Sequence, residues 1–256
     1  MREVRALSGM RAKREVLIAV SGAQAYPTVM EPDILDRPVW HALSGPQAEF
    51  AIGGANARRF HPDFGPLAGP RDHGPESLAE LGALVPEEGL LFILQKEACP
   101  PPPGTVVERT AELVQMVAAR RVEGPIEAPI EPLTDADAPE MLALARLTQP
   151  GPFERRTHEL GQFWGIREQG RLIAMMGEQR MRLPGHIEMT ALCTHPDFRG
   201  RGYGAQLMVW VASRIQGSDN APFLHAYASN VGAIRLYETL GFVVRIRPTL
   251  TVLRCA

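Results

Sequence analysis

Glycines at positions 200, 202 and 204 punctuate the segment Thr194 to Ala205, THPDFRGRGYGA, which leaves an apolar strand and enters an amphipathic helix. A turn of this kind exposes several consecutive backbone amides, unobstructed by Cβ atoms, at the positive end of a helix dipole. Such a loop receives phosphate or pyrophosphate, and Arg199 and Arg201 can add charge-assisted contacts to the same anion. The flanking pattern agrees. Phe163 to Arg167, Leu172 to Arg182 and Ile187 to Thr194 read as strands, separated by the turns Glu168 to Arg171 and Pro184-Gly185. Leu207, Trp210, Val211 and Ile215 recur at helical spacing. Phe223 to Ala228 reads as a strand, Val231 to Leu240 as a helix, and Phe242 to Leu253 as one or two closing strands. Upstream, Asp137-Ala-Pro-Glu140 has the capping oxygen, early proline and acid of a helix start, followed by an apolar face of Met141, Leu142, Leu144, Ala145 and Leu147. Strands, then alternation, predict an α/β or α+β fold with a mixed sheet.

Three functions compete for the glycine loop. Gly200, Gly202 and Ala205 satisfy the dinucleotide fingerprint, but that fold needs an acid about 20 residues on, at the far end of the next strand. Asp219 lies near that distance and precedes the strand instead, and too little chain remains for a doubly wound sheet. A mere flexible turn is the second reading. A phosphate-bearing cofactor fits best.

Arg199-x-x-Gly202-x-Gly204 resembles the pyrophosphate loop of the GNAT acyltransferases, and Asn230-x-x-Ala233-x-x-x-Tyr237-x-x-x-Gly241-Phe242 resembles that family's second cofactor motif. The likeness runs from about Ile126 to the C-terminus and is nearest to the FR47-like branch. It implies a GNAT-type mixed, mostly antiparallel sheet flanked by helices, acetyl-CoA as co-substrate, and no metal; no clustered His or Cys suggests one either. Gly200, Arg201, Tyr203, Gly204 and Ala205 would complete the pyrophosphate loop, and Leu192, Cys193 and Thr194 would meet the pantetheine arm through backbone groups. Tyr237 would hydrogen-bond or protonate the departing thiolate; packing under Gly241-Phe242 is its other possible role. Asn230 suits a helix N-cap as well as a cofactor contact.

An attacking ammonium, with a pKa near ~10.4, must first lose a proton. Glu188 is the first candidate base, from its distance to Gly204 and from relatives that use a glutamate there; water is the alternative. An acid in this apolar strand costs desolvation energy unless paired. Strand alternation places Glu188, Thr190 and Leu192 on one face and Met189, Ala191 and Cys193 on the other, with Cys193 as core filling. Glu178 and His225 are weaker candidates, His225 reading better as a satisfied strand histidine. Arg155, Arg156 and His158 lie where relatives wrap the acceptor and could contact a carboxylate there, but read better as the coat of a solvated loop.

The N-terminal half is harder to read. His61-Pro-Asp-Phe64 repeats as His195-Pro-Asp-Phe198, followed each time by a helix (Pro75 to Leu84 in the first case) and a strand (Gly89 to Gln95), which suggests a diverged half-repeat. After the first copy, Pro66 and Pro70 remove amides that a pyrophosphate would need, and nothing matches Asn230 or Tyr237. Residues 30–122 therefore read as a degenerate GNAT-like half without a cofactor site, which extends the sheet, shapes the acceptor cleft or forms a dimer surface. Residues 123–132, within the proline-rich VEGPIEAPIEP, read as a linker, with the main boundary near 126 and a GNAT domain over 126–256. Residues 1–29 carry basic residues and a five-residue apolar run, shorter than the ~7–15 of a signal peptide. They read as a poorly ordered extension, or as an upstream start with Met30 the true beginning.

With 27 basic against 29 acidic residues, the formal charge of −2 gives no electrostatic reason to expect nucleic acid or an anionic membrane as partner. Three widely spaced cysteines argue for a reduced cytoplasm rather than a disulfide scaffold. The expectation is an acetyl-CoA-dependent N-acetyltransferase acting on a primary amine of a small molecule or peptide, as a monomer or homodimer. The alternatives are a non-catalytic acyl-CoA-binding module, or a transferase with another acyl chain or acceptor atom.

Overall fold

A computed structural model describes residues 33–256; the expected extension of residues 1–29 and the start at Met30 lie outside them. The N-terminal half comprises α1 (Pro38–Leu43), β1 (Ala51–Gly53), β2 (Ala57–Phe60), β3 (Leu67–Pro70), α2 (Pro75–Ala83), β4 (Leu91–Gln95) and the long β5 (Thr105–Ala118). The C-terminal half follows with β6 (Ile130–Leu133), α3 (Ala138–Thr148), β7 (Phe163–Glu168), β8 (Arg171–Leu183), β9 (His186–Thr194), α4 (Tyr203–Gly217), β10 (Ala221–Tyr227), α5 (Val231–Thr239), β11 (Phe242–Ile246) and β12 (Thr249–Cys255). Every strand and helix expected downstream of residue 137 is present. The cap of α3 differs: Thr134 and Asp137 form a reciprocal capping box around a preceding 3-10 turn, with Asp137 at its third position.

The strands form one sheet of twelve, ordered β1-β2-β3-β4-β12-β5-β10-β9-β8-β7-β6, with β11 paired to β5. Only β3/β4 and β9/β10 pair in parallel, and each pair is joined through a helix, α2 or α4. The two halves share one order, helix, two antiparallel strands, parallel strand, helix, parallel strand and closing strand, to which the C-terminal half adds β6 at its start and α5 after β10. They also exchange their last strands. β12 pairs with β4 and with residues 105–112 of β5, while residues 113–118 of β5 pair with β10 and β11. The expected boundary near 126 is therefore a boundary in the chain alone, because the sheet runs across it. Leu35, Phe60, Leu94, Leu113, Met181, Phe223 and Leu250 share one core cluster drawn from both halves.

Two expectations about the repeat need correction. The segment after the first copy, whose Pro66 and Pro70 were expected to close off a counterpart of the glycine loop, runs into the buried strand β3, which pairs with β2 and β4. The two HPDF copies also occupy different places: the first links β2 to β3, the second β9 to α4. They match because each forms the same local turn. The Asp63 and Asp197 amides donate to the preceding His61 and His195 Nδ1 at 3.3 Å, and the Phe64 and Phe198 amides close onto the histidine carbonyls. The true counterpart of the glycine loop is Arg71–Gly74, at the start of α2. There the Asp72 carboxylate accepts from the Gly74 amide at 2.8 Å and from Ser77 Oγ at 2.7 Å, which holds its pKa down to about 2. The chain's own acid fills the position that an anion would take.

The proline-rich segment is extended, as its composition predicts, but it is fastened to α4. Gln206 Oε1 accepts from the amides of Glu127 and Ala128 at 2.7 Å, and Gln216 Oε1 accepts from that of Val122, whose side chain is fully buried. Its end forms edge strand β6, where Pro132 is tolerated.

The strand exchange has a consequence for dissection. Residues 33–122 lack β12, whose Leu250, Val252 and Leu253 are buried. At about 1.5–3 kcal/mol for each such side chain, their loss rivals the whole stability of a typical domain, about 5–15 kcal/mol. This fragment alone is expected to show no cooperative thermal transition by circular dichroism, and co-expression with residues 123–256 to restore one. A cooperative transition in the isolated fragment would mean that the exchanged strand is dispensable.

Candidate functional site

The parallel pairing of β9 and β10 stops early: Ala221, Pro222 and Phe223 pair with His186, Ile187 and Glu188, and beyond this the strands part. A bulge in β9 accompanies the splay. Thr190 pairs with Gly177 and Cys193 with Met175, so Ala191 and Leu192 together face one residue of β8, and Ala191 adopts φ +53°. This bulge breaks the expected alternation. Met189 packs in the α4 core with Leu192, while Ala191 and Cys193 join the α3 core. Burial there pushes the Cys193 thiol up to about 11.

Between the parted strands lies a cavity of about 180 Å³. Glu188, Thr190, Leu192, His225, Asn230 and Tyr237 line it, so the second motif and the candidate base meet in one place. Tyr237 is 8% exposed, and burial pushes its phenol up to about 12. Asn230 caps α5, its Oδ1 accepting from the Ala233 amide at 3.2 Å; Ala233 packs on the same core. A Cβ on Gly204 would lie 4.0 Å from Leu192, so the start of α4 adjoins the cavity wall. Gly200 and Gly202 both hold φ +78°, which favours glycine, and a Cβ on Gly200 would meet nothing within 4 Å. This open cradle at a helix N-terminus fits a pyrophosphate. Tyr203 packs into the core behind it. The two arginines are engaged elsewhere: Arg199 Nε donates to the Thr194 carbonyl at 3.3 Å, and Arg201 meets Glu168 at 3.3 Å and stacks over Phe198.

Glu188 is 4% exposed and does not stand alone. His225 Nδ1 lies 2.8 Å from its Oε1, and His225 Nε2 lies 3.0 Å from Gln115 Nε2. The Gln115 amide is oriented independently, since its nitrogen donates to the Leu35 carbonyl at 2.8 Å and its oxygen accepts from Arg245 Nη1 at 2.8 Å. Nε2 of His225 is therefore the acceptor, and Nδ1 carries the proton toward Glu188. Arg245 is itself held by Asp33 and Asp36. The expected satisfied strand histidine is thus also the partner of the candidate base. Among the described residues, Glu188 Oε2 has no partner.

Glu178 lies elsewhere: burial raises its pKa, the charge of Arg214 opposes this, and the residue does not line the cavity. Arg155, Arg156 and His158 are bound to protein acids: Arg155 to Asp63 at 2.9 Å, Arg156 to Glu159 at 2.7 Å and His158 to Asp135 at 3.4 Å. Their segment grips the first HPDF turn and so joins the two halves. Two cavity features escape the sequence reading. Arg180 faces the cavity, and Leu67, Phe92 and Leu94 give it an apolar wall from the N-terminal half. The one sequence signal was a lone basic residue inside MMGEQRM. Among the described residues, no group of acids, His or Cys is arranged to hold a metal, and no helix is long and apolar enough to cross a membrane.

Residues 163–251 match the family described as FR47-like protein. Among solved structures, the chain is similar to a GNAT-family protein from Novosphingobium aromaticivorans, at 43% identity and a TM-score of 0.81 over 87% of this chain and 98% of the other. It shares its fold with a GCN5-related N-acetyltransferase from Kribbella flavida, at 15% identity and a TM-score of 0.60 over 87% and 95% of the two chains. A GCN5-related N-acetyltransferase-like protein from Streptococcus suis shares the fold at 13% identity and a TM-score of 0.54, over 88% and 95%. No curated protein matches the chain.

Proposed function

Because the chain belongs to the GNAT family of acetyltransferases, in its FR47-like branch, we propose that it transfers an acetyl group from acetyl-CoA to a primary amine of a small molecule or peptide. The amine attacks the thioester directly. The observation that carries this reading is the splay of β9 from β10, which opens one cavity to Glu188 and Tyr237, with the start of α4 against its Leu192 wall. Acetyl-CoA, when bound, supplies an activated acyl thioester. Gly200 to Ala205 hold its pyrophosphate through backbone amides, and the bulged segment Leu192 to Thr194 lies along its arm. Glu188 takes the proton from the acceptor ammonium, with His225 fixing the carboxylate. Tyr237 donates its hydroxyl hydrogen to the sulfur as the thiolate departs. A reducing cytoplasm suits the three free cysteines.

The test is free-thiol release from acetyl-CoA by the full chain across an amine panel. Binding of acetyl-CoA without thiol release from any amine would replace the enzyme reading by an acyl-CoA-binding module. Gly202→Val tests the loop: a β-branched residue is strained at φ +78°, so the loop backbone must shift to accept it. Acetyl-CoA affinity is expected to fall about 30-fold or more, on the scale of a few lost charge-assisted hydrogen bonds. Retained affinity in calorimetry would mean that the loop does not hold the cofactor.

A further inference from the structure

Glu178 of β8 pairs with Met189 and Arg182 with Ile187, so residues 179, 180 and 181 together oppose Glu188. This second bulge, with Gln179 at φ +74°, turns Arg180 into the cavity. It is built rather than incidental. Gln47 of the N-terminal half, 2% exposed, donates to the Gln179 carbonyl and accepts from the Arg182 amide, both at 3.0 Å. Arg180 is 8% exposed; its Nη2 donates to the Pro152 carbonyl, and its Nε has no partner among the described residues.

A buried guanidinium and a buried carboxylate therefore face one cavity, each with an unpartnered atom, and no ion pair within 4.0 Å joins them. Unpaired buried charge is costly, and such atoms call for a ligand that completes them. We propose that the acceptor is a free amino acid with an apolar side chain: Arg180 binds its carboxylate, Glu188 faces its α-amine, and its side chain lies against Leu67, Phe92 and Leu94. Both charges line the same cavity, so one small molecule that carries an amine and a carboxylate on adjacent carbons meets both. A diamine would place a second cation against Arg180, and an internal peptide residue would leave Arg180 unpaired. The role of the amine rests on the acyl-transfer reading above; the carboxylate subsite stands on geometry alone.

The test is calorimetric titration of the full chain, with and without coenzyme A, using L-phenylalanine, L-leucine, L-phenylalaninamide and 2-phenylethylamine. The free amino acids are expected to bind about 100-fold more tightly than the amide or the amine, as for loss of one partner of a buried charged pair. Arg180→Met should reduce the amino acids to the affinity of the amide and leave the amide unchanged. Equal affinity for acid and amide, no binding of the acids, or discrimination that survives in Arg180→Met would overturn the proposal. Should that variant fail to fold, the comparison of acid and amide in the wild type decides. The two readings fail separately. Discrimination without any thiol release would sink acyl transfer and keep the subsite, whereas turnover of neutral amines without discrimination would do the reverse.

Discussion

Tyr237→Phe is expected to lower kcat about 100-fold or more while leaving acetyl-CoA affinity within a few-fold of wild type. The substitution removes a single oxygen from a side chain that is 8% exposed and lines the cavity, so packing should survive. On the proposed reading, what is lost is a hydrogen-bond donor to the leaving sulfur, and removal of one such donor costs about 10²–10³ in rate. With its pKa raised to about 12 by burial, the phenol keeps its proton at every ordinary working pH. Complete transfer to a thiolate of ordinary pKa near ~8.5 is uphill by about 3.5 units, so hydrogen-bond stabilisation of the thiolate is the expected form of assistance. The same burial gives a stability signature. The folded protein holds this proton more tightly than the unfolded chain, whose phenol titrates at 10. Stability is thus fully present below pH 10 and lost as pH rises from 10 to 12, by about 2–3 kcal/mol relative to Tyr237→Phe. Steady-state thiol release, calorimetry and denaturation at high pH measure the three quantities. Turnover within a factor of three of wild type would make Tyr237 a packing residue.

Glu188→Gln is expected to lower kcat/KM about 100-fold at neutral pH, again the scale of general base catalysis. The variant keeps an oxygen that can accept from His225 Nδ1, so the buried network of Gln115, Arg245, Asp33 and Asp36 behind it should persist. Its residual rate should climb with pH in proportion to the free amine, because no group in the cavity then removes the proton. A loss below ten-fold, with the pH profile of the wild type, would assign deprotonation to water. Gln115→Leu separates positioning from chemistry. It removes the groups that orient His225, and should lower kcat with little change in acetyl-CoA affinity, an effect that Gln115→Asn would only partly rescue.

The C-terminal half was legible because its signals are local. Strand and helix periodicity, the glycines at 200, 202 and 204, and the spacing of Asn230 and Tyr237 each act within a few residues. The errors came where local rules gave way to pairing. Ala191 and Gln179 adopt positive φ without being glycine, since the neighbouring strands and Gln47 hold them there, so alternation misplaced Met189. The segment holding Pro66 and Pro70 reads as a blocked counterpart of the glycine loop, whereas Leu67–Pro70 is a strand because β2 and β4 flank it. The HPDF repeat reports a turn that two strand exits share, not an equivalence in the fold.

By itself the sequence determined the elements of the C-terminal half, the phosphate-fitting glycine loop and the spacing of Asn230 and Tyr237, because dihedral preference and side-chain spacing are written residue by residue. Only the tertiary structure decided the exchange of β5 and β12, the tautomer of His225, and the meeting of Arg180 with Glu188 beside Leu67 and Phe92. Gln115 and His225 are 110 positions apart, and hydrogen bonds over such separations follow from strand order, which no local pattern encodes.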